Sequence, residues 1–372
     1  MNVKSFIRQN LKNAVNRIYL PAVYELYRRR PIEKGKVLFA DSNSFELPES
    51  MRLVYNELES RGMDIGLYLT DLRSCGFVGT VRYMTAFMKA YATAEYVFIS
   101  NYFVPVTSCR KRRGTKVVQL WHSCGLLKKF AYDTKEDISP YYKGDVTKNF
   151  SLITVSSKAC VKVWQNALRL DERRSKIVRA TGVSRTDVFF DESYLSACRD
   201  KLFDLRPDLK GKKIVLYAPT FRGTAAEPQL VGKADIDRLE ARLGEGWAVI
   251  QKLHPHLQKN DDLKMSSSEL FACADVLITD YSSLLFEYIL LEKPFVIFAP
   301  DYEQYKQGRG FYEDPADFPC EFITDGDKLA DAVKQSFGRK PDSEYKAFIA
   351  HHSGACDGKA TGRILKLIGI DK

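Results

Sequence analysis

Short apolar runs alternate with amphipathic stretches along residues 34 to 190. Apolar runs of strand length are typical of strands that are buried on both faces of a sheet, and the intervening stretches repeat apolar residues at helical spacing. This pattern predicts strands at Val37–Ala40, Ile65–Leu69, Tyr96–Ser100, Lys116–Trp121, Leu152–Ser156 and Ile177–Thr181. It predicts helices at Glu49–Arg61, Val78–Thr93 and Lys158–Leu170.

A second series of the same kind follows residue 212. It predicts strands at Ile214–Ala218, Trp247–Leu253, Val276–Thr279, Phe295–Phe298 and Glu321–Thr324, and helices at Asp235–Leu243, Leu284–Leu291 and Lys328–Phe337. Buried strands that alternate with helices indicate a parallel sheet covered on both faces. We therefore predict an α/β protein with two Rossmann-like, doubly wound domains, residues 34–190 and 191–372, which face each other across a cleft.

The first thirty residues have a different pattern. Apolar residues recur at helical spacing from Val3 to Leu26, and seven basic residues against one acidic residue give this stretch a net charge of +6. Charges interrupt the apolar run, so neither a signal peptide nor a transmembrane span is expected. We predict a basic amphipathic helix within residues 1–33 that lies on an anionic membrane surface. Packing of this helix on the first domain is the alternative.

Composition narrows the classes of partner. The 372 residues carry a formal charge of +10, which favours nucleic acid, anionic lipid or phosphorylated substrates. The eight cysteines include no C-x-x-C pair, so reduced thiols in a cytosolic protein are expected.

The strand at 276–279 is followed by a turn that suits a phosphate group. Asp280, Ser282 and Ser283 lie just before a predicted helix, where unpaired backbone N–H groups and the helix dipole favour an anion. Glu287 comes one helical turn later, where it is placed for a ribose hydroxyl. Ordinary capping of a helix explains the same residue types without a ligand.

Other predicted strands also end in polar residues, and ligands of doubly wound sheets bind at these ends. The residues are His122 and Lys128 after the strand at 116–121, Arg185 after 177–181, Thr220 and Arg222 after 214–218, His254 and His256 after 247–253, and Arg309 beyond 295–298.

Several enzyme classes lack their motif in this chain. The P-loop pattern, a G-x-G-x-x-G after a strand, a G-x-S-x-G elbow and an H-E-x-x-H pair are all absent. We therefore expect no cofactor and no metal ion.

An ordered series of motifs carries a resemblance to a known family. The series runs from Gln119 to Gly125 (QLWHSCG) with Lys128, Gly182-x-x-Arg185-x-Asp187, Tyr217 to Arg222 (YAPTFR), Lys252 to Pro255 (KLHP), Thr279 to Ser283 (TDYSS) with Phe286-Glu287, Arg309 to Tyr312 (RGFY), and Asp357-Gly358-Lys359 with Arg363. Over residues 35 to 365 the chain resembles the CDP-glycerol glycerophosphotransferases, the primases and polymerases of wall teichoic acid. The family usually has Gly where Ser123 stands and often Asp where Glu287 stands.

The resemblance implies a GT-B-like fold whose second domain holds a CDP-alcohol. The implied reaction transfers glycerol phosphate, or a related polyol phosphate, from CDP-glycerol to a hydroxyl of a membrane lipid-linked saccharide or teichoic-acid-like acceptor and releases CMP. The enzyme would act as a peripheral protein at the cytoplasmic face of the cell membrane, with no nucleic-acid partner. A glycosyltransferase with another nucleotide-activated donor and an inactive membrane-associated relative remain alternatives.

Catalytic and binding roles follow from the same resemblance. His122, as the general base, and His254 would be catalytic. The residues implied to bind substrate are Lys128, Arg185, Thr220, Arg222, His256, Asp280, Ser282, Ser283, Glu287 and Arg309.

Overall fold

The computed structural model describes residues 10–134, 137–138, 142, 144–220, 222–223, 228–253 and 263–371. The chain forms two compact units. Unit 1 comprises Met1–His122, Ala131–Arg185 and Lys359–Lys372, and unit 2 comprises Ser123–Phe130 and Thr186–Gly358. These units differ in three segments from the predicted ranges 34–190 and 191–372: residues 123–130 and 186–190 belong to unit 2, and residues 359–372 belong to unit 1.

The described part of unit 1 contains one seven-stranded sheet in the order β2-β3-β1-β4-β5-β6-β7. All neighbouring pairs are parallel except the edge pair β2–β3. The strands are β1 (Lys36–Asp41), β2 (Asn43–Ser44), β3 (Asp64–Asp71), β4 (Tyr96–Ile99), β5 (Lys116–Gln119), β6 (Leu152–Val155) and β7 (Val178–Ala180).

Helices cover this sheet. They are α1 (Leu20–Tyr27), α2 (Glu49–Ser60), α3 (Phe77–Tyr91), α4 (Val104–Ser108), α5 (Lys158–Ala167), α6 (Glu172–Ser175) and, from the end of the chain, α14 (Ala360–Leu367). Ser157 caps α5 by accepting a hydrogen bond from the backbone N–H of Cys160. The terminal helix belongs to unit 1 because Ile364 and Leu365 are fully buried in one core with Phe39 and Phe98 of the sheet.

The helix at the N-terminus packs on unit 1. It is described from Asn10, includes a π-helical turn at Val15–Tyr19 and continues as α1. Leu20 and Tyr24 are fully buried, and the Tyr24 ring lies 5.1 Å from the ring of Tyr91. On the outer side, Ile18 and Leu26 are 70% and 61% exposed. The alternative of packing on the first domain therefore holds for the inner face of this helix. Its outer face stays available to a membrane, and that role stays a prediction.

The described part of unit 2 contains a five-stranded parallel sheet in the order β11-β8-β12-β13-β14, and a separate two-stranded hairpin. The strands of the sheet are β8 (Lys213–Tyr217), β11 (Trp247–Gln251), β12 (Val276–Thr279), β13 (Phe295–Phe298) and β14 (Glu321–Ile323), and the hairpin pairs β9 (Arg222–Gly223) with β10 (Pro228–Gln229). The helices are α7 (Glu192–Leu205), α8 (Lys233–Leu243), α9 (Ser267–Cys273), α10 (Leu285–Tyr288), α11 (Tyr302–Gly308), α12 (Leu329–Ser336) and α13 (Ser343–Ser353).

The α/β prediction is confirmed: each strand of both predicted series is present, with ends that agree to within two residues. The eight cysteines, all of which lie among the described residues, form no disulfide. No helix in the described ranges is long and apolar enough to cross a bilayer.

Candidate functional site

His122 lies just beyond the carboxyl end of β5 in unit 1. The strand ends at Gln119, two residues earlier than predicted, because Trp121 adopts a left-handed conformation with φ 56°. This conformation is costly for a bulky residue and is common at functional sites. The Gln119 side chain supports it by accepting a hydrogen bond from the Trp121 N–H at 3.0 Å.

The imidazole of His122 is oriented by the backbone. Its Nδ1 lies 3.0 Å from the carbonyl oxygen of Ser100, so Nδ1 of the neutral ring carries the proton and donates it to that oxygen. This tautomer, assigned from the contact, makes Nε2 the basic nitrogen. The Trp121 ring stacks on the imidazole with centroids 4.8 Å apart, and the ring as a whole is exposed. A positioned, accessible imidazole of this kind is suited to general-base chemistry.

Asp41 is a supporting residue that the sequence analysis did not name. It ends β1 with a 2% exposed side chain and accepts hydrogen bonds from Asn101 Nδ2 at 2.8 Å and Ser100 Oγ at 3.3 Å. These bonds hold the loop that supplies the carbonyl partner of His122. An acidic residue at the end of a predicted strand was the available signal.

Arg185 lies in the other polar turn of unit 1, after β7. Its side chain is partly buried, next to the Gly182 turn. The terminal helix supports this turn, because Arg363 Nε donates to the carbonyl of Thr181 at 2.9 Å and Thr361 and Ser184 hydroxyls lie 2.8 Å apart. Arg363, the last residue of the DGK-x-x-x-R motif, therefore supports the Arg185 turn.

In unit 2 the structure brings Thr220, Arg222 and Asp280 together in one network with Asp301. Arg222 donates from Nε and a terminal nitrogen to Asp301 at 2.7 and 3.0 Å, and its other terminal nitrogen lies 2.9 Å from Asp280. Asp280 also accepts from the Thr220 backbone N–H at 2.8 Å. The guanidinium is thus occupied mainly by protein carboxylates, an arrangement that the prediction of Arg222 as a substrate-binding residue did not anticipate.

Burial and charge act on this network in opposite directions. Burial lowers the pKa of Arg222, but the hydrogen bonds of Asp301 and the charges of both carboxylates outweigh it and raise that pKa. For Asp301, burial raises the pKa and the bonds from Arg222 more than offset it, so the carboxyl stays below its usual range. The guanidinium also stacks over the rings of Tyr281 and Tyr305 at 4.8 and 4.9 Å. The network holds the ends of β8 and β12 in register.

The hydroxyl-rich turn follows β12 as predicted. Ser282 and Ser283 are partly exposed, and the hydroxyl of Ser282 accepts a hydrogen bond from the Leu284 N–H at 3.4 Å. Capping and anion binding both remain compatible with this geometry. Glu287 is fully buried, so its carboxylate does not face solvent as a ribose ligand should. A role for Glu287 at the ribose stays a prediction.

Residues 123–130 form a strap across unit 2 that places Lys128 beside Arg309. Lys128 pairs with Phe311 in an antiparallel bridge, and the Tyr312 N–H donates to the Leu127 carbonyl at 2.7 Å. The Arg309 Nε donates to the carbonyl of Lys129 at 3.1 Å. Two of the cations predicted to bind substrate therefore belong to one backbone assembly.

The strap is held by Gly125 and His352. A Cβ at Gly125, where φ is 68°, would lie only 2.2 Å from the ring of Phe286. The N–H of Leu126 donates to Nδ1 of His352 at 3.3 Å. The His352 ring also stacks on Phe286 with centroids 4.3 Å apart. The sequence analysis missed this role, and an unassigned His pair before the DGK motif was the only signal.

His352 is held in its neutral form. Burial, aided by neighbouring His351, lowers its pKa to about 3. Because Nδ1 accepts the Leu126 N–H, Nε2 carries the proton and faces Glu313 at 3.3 Å. Ligand atoms of Glu313, His351 and His352 lie within 4.8 Å of one another, as metal ligands would. A metal at Nε2 would require the ring proton to move to Nδ1, where it would oppose the Leu126 N–H, so this geometry disfavours His352 as a metal ligand.

His254 and His256, predicted as a catalytic and a substrate-binding residue, lie outside the described residues.

Comparison with known proteins identifies relatives along nearly the whole chain. The teichoic acid ribitol-phosphate primase of Bacillus spizizenii is 31% identical, covering 91% of this chain and 92% of the relative. A poly(ribitol-phosphate) polymerase of the same organism is 30% identical over 93% of this chain, which spans 58% of the polymerase's length. The glycerol-phosphate primase of Bacillus subtilis is 30% identical, with 74% and 73% coverage.

Solved structures share the fold. The wall teichoic acid polymerase TagF aligns with a TM-score of 0.73 and 22% identity, over 99% of this chain and 97% of that one. A UDP-GlcNAc 2-epimerase of Methanocaldococcus jannaschii aligns with a TM-score of 0.51 and 13% identity, over 90% and 98%. The GT-B-like fold class is thus confirmed. The family model described as CDP-glycerol:poly(glycerophosphate) glycerophosphotransferase matches residues 22–369, and this chain belongs to that family.

Proposed function

We propose that this protein transfers a polyol phosphate, in the first instance glycerol phosphate, from a CDP-alcohol to a hydroxyl of a lipid-linked saccharide or teichoic-acid-like acceptor. CMP is released, and the product is a unit of a cell-wall polymer. The single observation that carries the proposal is the oriented imidazole of His122, whose Nδ1 is engaged by the Ser100 carbonyl. It lies in the motif that also begins the family's ordered series.

In the proposed reaction the acceptor oxygen attacks the phosphorus that bears the alcohol. The bond from that phosphorus to the bridging oxygen breaks, and the bridging oxygen leaves with CMP. Nε2 of His122 takes the proton of the acceptor hydroxyl as the new P–O bond forms. A positioned general base of this kind contributes about 10²–10⁴ in rate.

Unit 2 supplies groups for the donor. Lys128 lies on the strap and Arg309 is bonded to it through the Lys129 carbonyl. Cations placed near phosphate oxygens stabilise the charge that develops during transfer. The Ser282 and Ser283 hydroxyls add donors at the end of β12. Arg222 would act indirectly, by holding Asp280 and the Thr220 backbone in place. His254 enters on its strand-end position and the KLHP motif, and His256 on its strand-end position alone.

Relatives of similar identity carry names for both ribitol-phosphate and glycerol-phosphate enzymes, so the alcohol is part of the proposal. A TagF structure obtained after a soak with CDPG supports a CDP-alcohol as donor class. Release of CMP from CDP-glycerol and CDP-ribitol, compared with release of UDP from UDP-sugars, discriminates the proposed reaction from ordinary glycosyl transfer. UDP release without CMP release would favour a glycosyltransferase.

The test of the base is His122→Gln, with His351→Gln as the matched control at a histidine that is 47% exposed. We expect His122→Gln to lower turnover about 10²–10⁴-fold and to leave CDP-glycerol affinity unchanged. The control should keep the wild-type rate. Wild-type turnover in a folded His122→Gln protein would remove this residue from the mechanism.

We also propose that the protein is peripheral on the anionic cytoplasmic face of the membrane. Deletion of the whole N-terminal helix is a poor test, because Leu20 and Tyr24 belong to the core. The double change Ile18→Ser and Leu26→Ser removes only outward-facing apolar groups. Weaker sedimentation with anionic liposomes, at an unchanged melting temperature, is expected. Unaltered binding would assign the membrane contact to another surface.

A further inference from the structure

Unit 1 contains an apolar cavity of about 330 Å³ between the start of the described helix and α3. Leu11 and Val15 line it from the N-terminal side, and Val81 and Met84 line it from α3. Phe77, which also lines it, is 52% exposed, so the cavity opens to the surface there. An apolar cavity of roughly 150 Å³ binds benzene, so this one has room for a longer hydrocarbon.

A second, smaller cavity of about 150 Å³ adjoins it. Its lining combines the rings of Tyr102 and Tyr142 with the carboxylate of Asp137 and the hydroxyl of Thr107. The Tyr142 and Thr107 hydroxyl oxygens lie 3.3 Å apart. Aromatic walls with a few convergent polar groups are typical of sites that bind small polar rings, and a saccharide matches this chemistry.

Side-chain contacts connect the two linings to the proposed base. Val104, the first residue of α4, lines both cavities. Tyr102 of the smaller cavity lies 5.3 Å, ring to ring, from Trp121, and Trp121 stacks on His122. From His122 outward, these contacts therefore pass aromatic and polar side chains first and apolar side chains last. Lys12 adds a cation to the lining of the apolar cavity.

We infer that the two cavities bind the acceptor, with its hydrocarbon chain in the apolar cavity and its saccharide in the smaller one. The order of the linings matches an amphiphile whose hydroxyl must reach His122, and Lys12 complements the negative charge of a phosphate between chain and sugar. The inference rests on the proposed function, because it deepens the acceptor side of that reaction.

The test uses two acceptors with one saccharide diphosphate head, carrying either a short alkyl or a long polyprenyl chain, in detergent micelles with CDP-glycerol. Thr80→Trp fills the apolar cavity from α3, since Thr80 is part of its lining. Ala86→Trp makes a matched change at an exposed position of the same helix. Each buried methylene is worth about fourfold in affinity, so Thr80→Trp should raise KM for the long-chain acceptor roughly tenfold or more. KM for the short-chain acceptor, and both values for Ala86→Trp, should stay at the wild-type level.

A diazirine at the end of the long chain gives a readout that needs no turnover. Peptide mass spectrometry of the wild-type protein should find crosslinks at Val15 or Met84. Crosslinks elsewhere, or equal KM values of the wild-type protein for the two acceptors, would overturn the inference. CMP release with the short-chain acceptor would still uphold the proposed function in that case. If neither acceptor released CMP, the proposed function would fail, and the crosslink would still decide whether the cavity takes a hydrocarbon chain.

Discussion

Replacement of Arg222 by methionine tests the ionic network at the ends of β8 and β12. The change keeps an unbranched side chain against the Tyr281 and Tyr305 rings and removes the charge. Asp280 and Asp301 then lose their cation in a setting where their side chains are only 5% and 13% exposed. Removal of one partner from a buried ion pair costs about 3–5 kcal/mol, mostly because the remaining charge is left uncompensated.

This loss of stability can be measured as a lower melting temperature. A domain of this size loses about 2–4 °C per kcal/mol, so the transition of unit 2 should fall by roughly 6–20 °C. The matched control is Arg206→Met, whose ion pair with Asp208 is exposed, at 47% and 54%. Because solvent screens an exposed ion pair, this pair contributes little to stability, and Arg206→Met should melt at the wild-type temperature.

The dependence on pH gives a second, independent check. In the wild type the pKa of Asp301 is lowered, so the stability it contributes is present above the unfolded pKa and is lost as the pH falls through the folded pKa. Without Arg222 the buried Asp301 carboxylate binds a proton more readily, and the variant gains relative stability on acidification. The difference between the two proteins should therefore be largest near pH 7 and shrink towards acid. Equal melting temperatures for Arg222→Met and Arg206→Met near pH 7 would refute the reasoning.

Three further predictions concern stability and are each checked by chemical or thermal unfolding. Gly125→Ala should lower the free energy of unfolding by about 1–3 kcal/mol, because its Cβ would overlap the aromatic ring packed on it. Gly211→Ala, which has a similar backbone conformation and open space around it, should lower it less. Equal losses for the two variants would contradict this prediction. The pKa of His352 is lowered to about 3, so below about pH 6.5 only the unfolded chain takes up the proton and the wild type should lose stability as the pH falls. His352→Gln should lack this component of the pH dependence. Parallel profiles of stability against pH for the two proteins would argue against the prediction. Leu20→Ala should lower the free energy of unfolding by about 2–5 kcal/mol because this side chain is fully buried. Leu26→Ala, at a 61% exposed position, should have little effect. A larger loss for Leu26→Ala than for Leu20→Ala would mean that the helix packs through its other face.

Local pattern accounts for what could be predicted of the fold. The most buried strands, such as β1, β4 and β12, are apolar runs of four to six residues in the structure, and polar strand ends follow such runs directly in the chain. The positions of His122, Ser282 and Ser283 at such ends therefore followed from the order of residues alone. The family followed from the order of the motifs, because the spacing of several short motifs is far more specific than any one of them.

Partners distant in the chain could not be predicted in this way. Arg222 pairs with Asp301, 79 residues away, and the Leu126 N–H bonds to His352, 226 residues away. The sequence contains many carboxylates with which Arg222 could pair and many backbone N–H groups that could bond to His352. Folding selects among them by which pairs close packing brings within hydrogen-bond distance, so Arg222 became part of an internal network and Glu287 became buried.

The N-terminal helix shows the same division. Its apolar spacing and its basic residues are properties of the sequence, and they determine that a helix forms and that it is amphipathic. The surface of α3 decides which apolar residues of this helix face the protein. Leu20 and Tyr24 are packed and fully buried, whereas Ile18 is exposed. Periodicity is encoded locally, whereas the choice of a packing partner depends on the shape of a surface that exists only after the rest of unit 1 has folded.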